Sequence, residues 1–205
     1  MRTLSVALTG GIGCSKTLLS RVFSHLHIPV FNTDDRAKTL YSNKNVLENM
    51  QQMFGTEIVR DGVLDKKMLS AIVFNDRGEL EKLNKYIHPK VQEDFLQWKE
   101  EQTKTKVPYV VLESALIFET HWENMFDKII CINTPSHLAV QRAMVRDKAT
   151  KEQILERIAN QMPTEEKLKR SDYIIENDDI QLVIPQILSI DKNLKKLSEE
   201  NYKKQ

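Results

Sequence analysis

Cysteine is nearly missing: the 205 residues hold only Cys14 and Cys131. That number excludes a disulfide framework and points to a reducing, intracellular compartment. Long apolar runs are missing as well. None approaches the roughly 18–20 residues that a membrane-crossing helix needs, and the N-terminus lacks the basic, apolar and small-residue succession of a secretory signal. These absences predict a cytoplasmic protein without a membrane partner. No excess of one charge exists either, with 30 Lys and Arg against 29 Asp and Glu. Nucleic acid is therefore not expected as a partner, and any anion site has to be local. No zinc-ligand spacing, internal repeat or low-complexity linker is found. Apolar residues at 40% and charged residues at 29% suit one well-buried domain with smaller appendages.

Glycine is scarce, six residues in all, yet Gly10, Gly11 and Gly13 fall in one turn. The turn follows the apolar run Leu4–Leu8 and precedes Leu18 and Leu19, where helical spacing resumes. Strand, glycine-rich loop and helix in this order make a phosphate-binding loop. Its backbone N–H groups converge on phosphate oxygens, and the following helix aims its positive end at the same anion. Gly11, Ile12, Gly13, Cys14, Ser15, Lys16 and Thr17 are then the expected ATP-binding residues. Lys16 would reach the outer phosphates and the Thr17 hydroxyl would hold Mg²⁺, as in a Walker A loop. The usual pattern has a second glycine where Ser15 stands. If that position requires positive φ, serine costs about 1–2 kcal/mol of strain. Cys14, at a helix N-terminus and beside Lys16, is either a reactive thiol that ATP protects or simply a small residue tolerated where serine is usual.

Four further buried strands are predicted at Ile28–Phe31, Val107–Leu112, Phe126–Ile132 and Ser171–Ile175, with Cys131 as core packing. Asn32–Asp35 and Glu113–Ser114 fall at carboxyl ends of strands, where open α/β sheets bind ligands. Thr33 or Asp34 could also cap the next helix. From Val46 to about Lys106 the pattern changes to successive amphipathic helices without a strand, one of them starting at His88-Pro89. This stretch reads as a helical insertion beside the site. Later, Arg142 and Arg146 lie on one helix and Arg157 and Gln161 on the next, which opens with a Thr150–Gln153 capping pair. Guanidinium groups so placed suit a triphosphate. Pro185 is expected to kink the last helix or mark its first turn, and the Lys- and Glu-rich tail from Asn193 to fray. The architecture is that of a small P-loop kinase. A kinase for another small molecule, such as a nucleoside, and a nucleotide-binding protein without turnover remain as alternatives.

The ordered motifs resemble the dephospho-coenzyme A kinases. They are Thr9–Gly13 with Lys16-Thr17, Asp34 with Ala37-Lys38, Gly62–Lys66 with Leu69 and Phe74, and Leu83-Asn84 with His88-Pro89. Leu116–Glu119, Gln141-Arg142 with Arg146-Asp147, Arg157 with Gln161, and Asp172–Ile175 with Asn177 continue the series across nearly the whole chain. The resemblance implies an α/β fold of P-loop NTPase type: a three-layer α/β/α core with a five-stranded parallel sheet. The core would comprise 1–55 and 106–205, with a small helical lid near 140–165 and a helical CoA-binding domain at 56–105. It implies transfer of the γ-phosphoryl of ATP, with Mg²⁺, to the ribose 3′-hydroxyl of dephospho-CoA by a monomer or small homo-oligomer. Asp34, Lys16, Arg142 and Arg146 are the expected catalytic residues, and Arg157 joins the ATP-binding set. Thr9, Asp34, His88 and Glu113 are expected on the acceptor. The chain departs from the family's usual pattern at Cys14, Ser15, Asn32, Lys66 and Ala115.

Overall fold

A computed structural model describes residues 2–202, with the side chains of Phe74, Asn75, Arg77, Asn201 and Tyr202 outside the described set. Two compact units emerge, one of residues 1–32 with 99–205 and one of Thr33–Trp98.

The first unit opens with β1 (Leu4–Gly10) and α1 (Lys16–His25), and β2 (Val30–Asn32) closes its N-terminal part. In the second unit, α2 (Thr33–Leu40) and α3 (Lys44–Phe54) lead to β3 (Val59–Arg60) and β4 (Val63–Leu64). Then come α4 (Lys66–Asn75) and α5 (Arg77–Lys104), whose last residues, from Lys99 on, already belong to the first unit. The first unit resumes with β5 (Tyr109–Glu113), β6 (Lys128–Asn133), α6 (Ser136–Asp147) and α7 (Lys151–Ala159). It ends with α8 (Thr164–Lys169), β7 (Tyr173–Glu176) and α9 (Val183–Tyr202).

The main sheet has five strands in the order β2-β5-β1-β6-β7, all paired in parallel. Leu4, Val6, Leu8, Tyr109, Val111, Ile130 and Ile132 point to one face, where Leu19 and Phe23 of α1 and Ile187, Ile190 and Leu194 of α9 cover them. The alternate residues Ala7, Val110, Leu112, Ile129 and Cys131 are also buried. Burial on both faces is why these strands read as unbroken apolar runs rather than as alternating ones. The five strands of the sequence reading are therefore present, each starting two residues or so later than expected except β1.

Three expectations change. The second unit is not free of strands: β3 and β4 pair antiparallel around Asp61-Gly62, both at positive φ. Two-residue strands leave too short an alternation to stand out from flanking helices. His88-Pro89 does not start a helix, because Pro89 lies inside the 28-residue α5. Proline removes one internal hydrogen bond, and the buried Leu83, Ile87, Val91 and Phe95 continue the same apolar stripe across it. The tail from Asn193 is helical to Tyr202, held by the buried Leu194 and by Ser198, whose hydroxyl donates to Arg2 O at 2.8 Å. Pro185 stands in the first turn of α9, one of its two expected places. Phe74, expected on the apolar face of α4, has its side chain outside the described residues.

Candidate active site

The loop between β1 and α1 is built by conformations that few residues tolerate. Gly10 has φ 151° and Gly13 φ 78°. A Cβ on Gly13 would stand 2.0 Å from the Ala139 carbonyl oxygen of α6, so only glycine lets the loop approach that helix. Gly11 is not left-handed, and a Cβ there would meet Thr164 Oγ1 at 3.4 Å. Ser15, at φ 68° and ψ 32°, is left-handed and caps α1 with no side-chain hydrogen bond. The position thus does require positive φ, and serine carries that strain in exchange for no visible bond.

Lys16 folds back over the loop. Its Nζ donates to the carbonyl oxygens of Gly10 at 3.0 Å and Gly11 at 3.1 Å, and lies 3.7 Å from Cys14 Sγ. Cys14 is 2% exposed, and its N–H closes the turn on Gly11 O at 3.4 Å. Burial against Gly10 overturns the expectation of a reactive thiol, because an attacking reagent has no approach to Sγ. Its carbonyl oxygen accepts from Asn177 Nδ2 at 3.0 Å, which ties the loop to the end of β7.

Glu113, at the end of β5, is buried and gathers three side chains. It accepts from Thr17 Oγ1 at 2.8 Å, Ser20 Oγ at 2.9 Å and Asn32 Nδ2 at 2.7 Å. The helix of the phosphate loop and the edge strand β2 are thereby pinned to one carboxylate. Thr9, expected on the acceptor, is buried at the end of β1, and its Oγ1 has no hydrogen-bond partner among the described residues.

The arginines lie on the expected helices and are held by carboxylates. Arg142 donates to Asp179 Oδ1 at 2.5 Å and to Asn177 O at 3.4 Å. Arg146 and Arg157 both donate to Asp147, at 2.7 Å and 3.1 Å. The Arg146 hydrogen bond, followed by the charges of Arg146 and Arg157, holds the Asp147 carboxyl below the usual range. Thr150 and Gln153 form the expected capping box of α7. Val140, Ala143, Ile154 and Ile158 make a small core between α6 and α7, and Ile12 of the loop packs against it.

Asp34 is exposed in the first turn of α2, two residues after Asn32 along the chain. Burial, and then the Asp34 carboxylate, push the Tyr41 phenol up. His88 is half-buried on α5, and burial holds its imidazole below the usual value. Both belong to the Thr33–Trp98 unit. Sequence reasoning did not assign Ser20, Asn32 or Asn177 to the site. Their sequence signal is slight, since a single polar residue on an otherwise apolar strand or helix face is an ordinary occurrence.

A parallel sheet ending in a left-handed glycine-rich loop, with Lys16 and Thr17 at the following helix, defines a phosphate-loop nucleotide-binding core of the small-molecule kinase class. The family model described as dephospho-CoA kinase matches residues 4–182. A dephospho-CoA kinase of Bacteroides fragilis is 33% identical over 188 residues, 91% of each chain. One from Bacillus anthracis is 35% identical over 178 residues, covering 86% of this chain and 89% of its own. The solved dephospho-CoA kinase of Campylobacter jejuni superposes with a TM-score of 0.68 at 28% identity, covering 96% of this chain and 98% of its own. A solved protein of Thermus thermophilus reaches 0.80 at 29% identity, covering 93% and 96%. The chain belongs to the dephospho-CoA kinase family, which uses ATP and catalyses the final step of coenzyme A biosynthesis.

Proposed function

We propose that the chain transfers the γ-phosphoryl of ATP to the ribose 3′-hydroxyl of dephospho-CoA by the following division of labour. The observation that carries it is the left-handed loop with Lys16 folded across it and Thr17 joined to Glu113. Loop amides and Lys16 bind the outer phosphates, since phosphoryl transfer is catalysed mainly by positioning and charge neutralisation. Lys16 exchanges the carbonyl oxygens of Gly10 and Gly11 for phosphate oxygens, a stronger charge-assisted pairing.

Thr17 fits Mg²⁺: its hydroxyl, aligned by the Glu113 carboxylate 2.8 Å away, offers a hard oxygen donor, and this ion needs few protein ligands beside phosphates and water. When bound, Mg²⁺ neutralises charge on the outer phosphates. Asp34 orients the 3′-hydroxyl and takes its proton as the oxygen attacks. Arg142, Arg146 and Arg157 leave their carboxylates to offset charge on the transferring group, and the helices near 140–165 act as a lid.

The helical segment 56–105, with His88, receives the acceptor, while Thr9 and Glu113 lie near the hydroxyl to be phosphorylated. The wider Thr33–Trp98 unit carries a groove of about 530 Å³ in which Lys90 and Gln97 stand beside Glu93 and the Arg36–Asp94 ion pair, a polar lining that supports a polar acceptor. Among the described residues no helix is long and apolar enough to cross a membrane; the family's place in coenzyme A biosynthesis is what supports a cytoplasmic enzyme. The test is a transfer assay with ATP, Mg²⁺ and dephospho-CoA, read out as CoA formed. ATP turnover with nucleoside acceptors and none with dephospho-CoA would overturn this reading.

A further inference from the structure

Gln161 sits between α7 and α8 and plays no part in the roles assigned so far. Its Oε1 accepts the N–H of Ile12 at 3.2 Å. An amide N–H can only donate, so the atom facing it is the carbonyl oxygen, and both hydrogens of Nε2 remain to be accepted elsewhere. Among the described residues no protein group accepts them.

The turn that carries Gln161 is fixed on both sides. Ile12 packs its side chain on the small core of α6 and α7. On the other side, Met162 N–H donates to Glu119 Oε1 at 2.9 Å. The same carboxylate pairs at 2.7 Å with Lys167, whose side chain is wholly buried and whose Nζ also donates to Ala115 O at 2.8 Å. Breaking such a pair leaves a buried charge uncompensated, so the turn is held in place.

Lys16 Nζ marks the outer-phosphate end of the loop, and it lies against Gly10 and Gly11, next to Ile12. The unpaired Nε2 therefore belongs to an amide anchored one residue beyond the carbonyl oxygens that Lys16 Nζ occupies. We propose that Gln161 determines specificity for a nucleoside triphosphate: anchored through Oε1 on Ile12, it donates from Nε2 to an oxygen of the terminal phosphate. This rests on the loop being the ATP site, and it assigns to Gln161 the reading of the third phosphate.

The test compares binding of ATP and of ADP by calorimetry, without acceptor, to the wild type, Gln161→Met and Gln161→Glu. Methionine keeps the length and loses both polar atoms; glutamate keeps an acceptor for Ile12 N–H and replaces the donor by a negative charge. ATP affinity is expected to fall about tenfold in Gln161→Met and further in Gln161→Glu, as for loss of a hydrogen bond to a charged group, while ADP affinity stays within about twofold. In the transfer assay, KM for ATP should rise more than kcat falls, as for a contact made before and during transfer. Equal losses for ATP and ADP, no loss, or tighter ATP binding would each overturn the proposal. A wild type that binds ATP but leaves dephospho-CoA unphosphorylated would instead overturn the acceptor reading, and one that binds neither nucleotide would overturn both.

Discussion

Thr17 Oγ1 donates to Glu113 Oε1 across 2.8 Å, joining the first turn of α1 to the end of β5. One carboxylate thus aligns the hydroxyl proposed for Mg²⁺ and also holds Ser20 and Asn32. Glu113→Gln keeps the shape and removes the charge. Its kcat/KM should fall about 10- to 100-fold, the range for outer partners of a metal site, and the Mg²⁺ concentration for half-maximal rate should rise. Titrating Mg²⁺ in the transfer assay checks both.

Asp34→Asn preserves size and hydrogen bonding but cannot take a proton. A decrease of about 100-fold in kcat is expected for a base of this kind. A decrease under about tenfold, or roughly 1.4 kcal/mol, would rule out an essential base and leave Asp34 an orienting residue.

Ser15 is left-handed with no side-chain bond to recompense it. Relief of about 1–2 kcal/mol of local strain, less about 0.5–1 kcal/mol for the added freedom of an unfolded glycine, predicts that Ser15→Gly stabilises the chain by about 0.5–1 kcal/mol. Denaturant unfolding measures the sign directly.

Cys14 is buried to 2% exposure. Iodoacetamide should modify it at least about 100-fold more slowly in the native protein than in the unfolded chain, where the thiol has its ordinary reactivity. Labelling followed by mass spectrometry, with and without ATP, tests this; rapid native labelling would restore the reactive thiol. Cys131 should resist as well, because burial pushes its thiol up to about 11.

Tyr109 donates its hydroxyl proton to Asp191 Oδ1 at 2.7 Å, beneath α9. Burial, and then this hydrogen bond and the Asp191 charge, raise its folded pKa. A group raised on folding stabilises fully below its unfolded pKa, about 10 for tyrosine, and that contribution is lost as pH rises further because only the unfolded chain ionises readily. Tyr109→Phe should therefore flatten the alkaline loss of stability. Near pH 7 it should cost about 1–3 kcal/mol, since Asp191 loses a donor in a buried place. Denaturation at pH 7 to 11 tests both.

The sequence by itself determined the sheet and its loop. Apolar runs of strand length, each followed by helical periodicity, leave few alternatives, and Gly10, Gly13, Lys16 and Thr17 have meaning only in a fixed order along a few residues. The arginine-bearing helices and the α7 capping box were legible for the same reason, being set by local spacing. Contacts between distant segments were decided only by the tertiary structure. Glu113 gathers Thr17, Ser20 and Asn32 because parallel strands bring residues 81 to 96 positions apart to one sheet edge. Packing carried α5 through Pro89, since one lost hydrogen bond is small beside a continuous buried stripe. The same burial closed off Cys14, whose neighbours in sequence promised a reactive thiol. Gln161 met Ile12 across 149 positions, a pairing that no local pattern encodes, because it depends on where two helices and a loop come to rest.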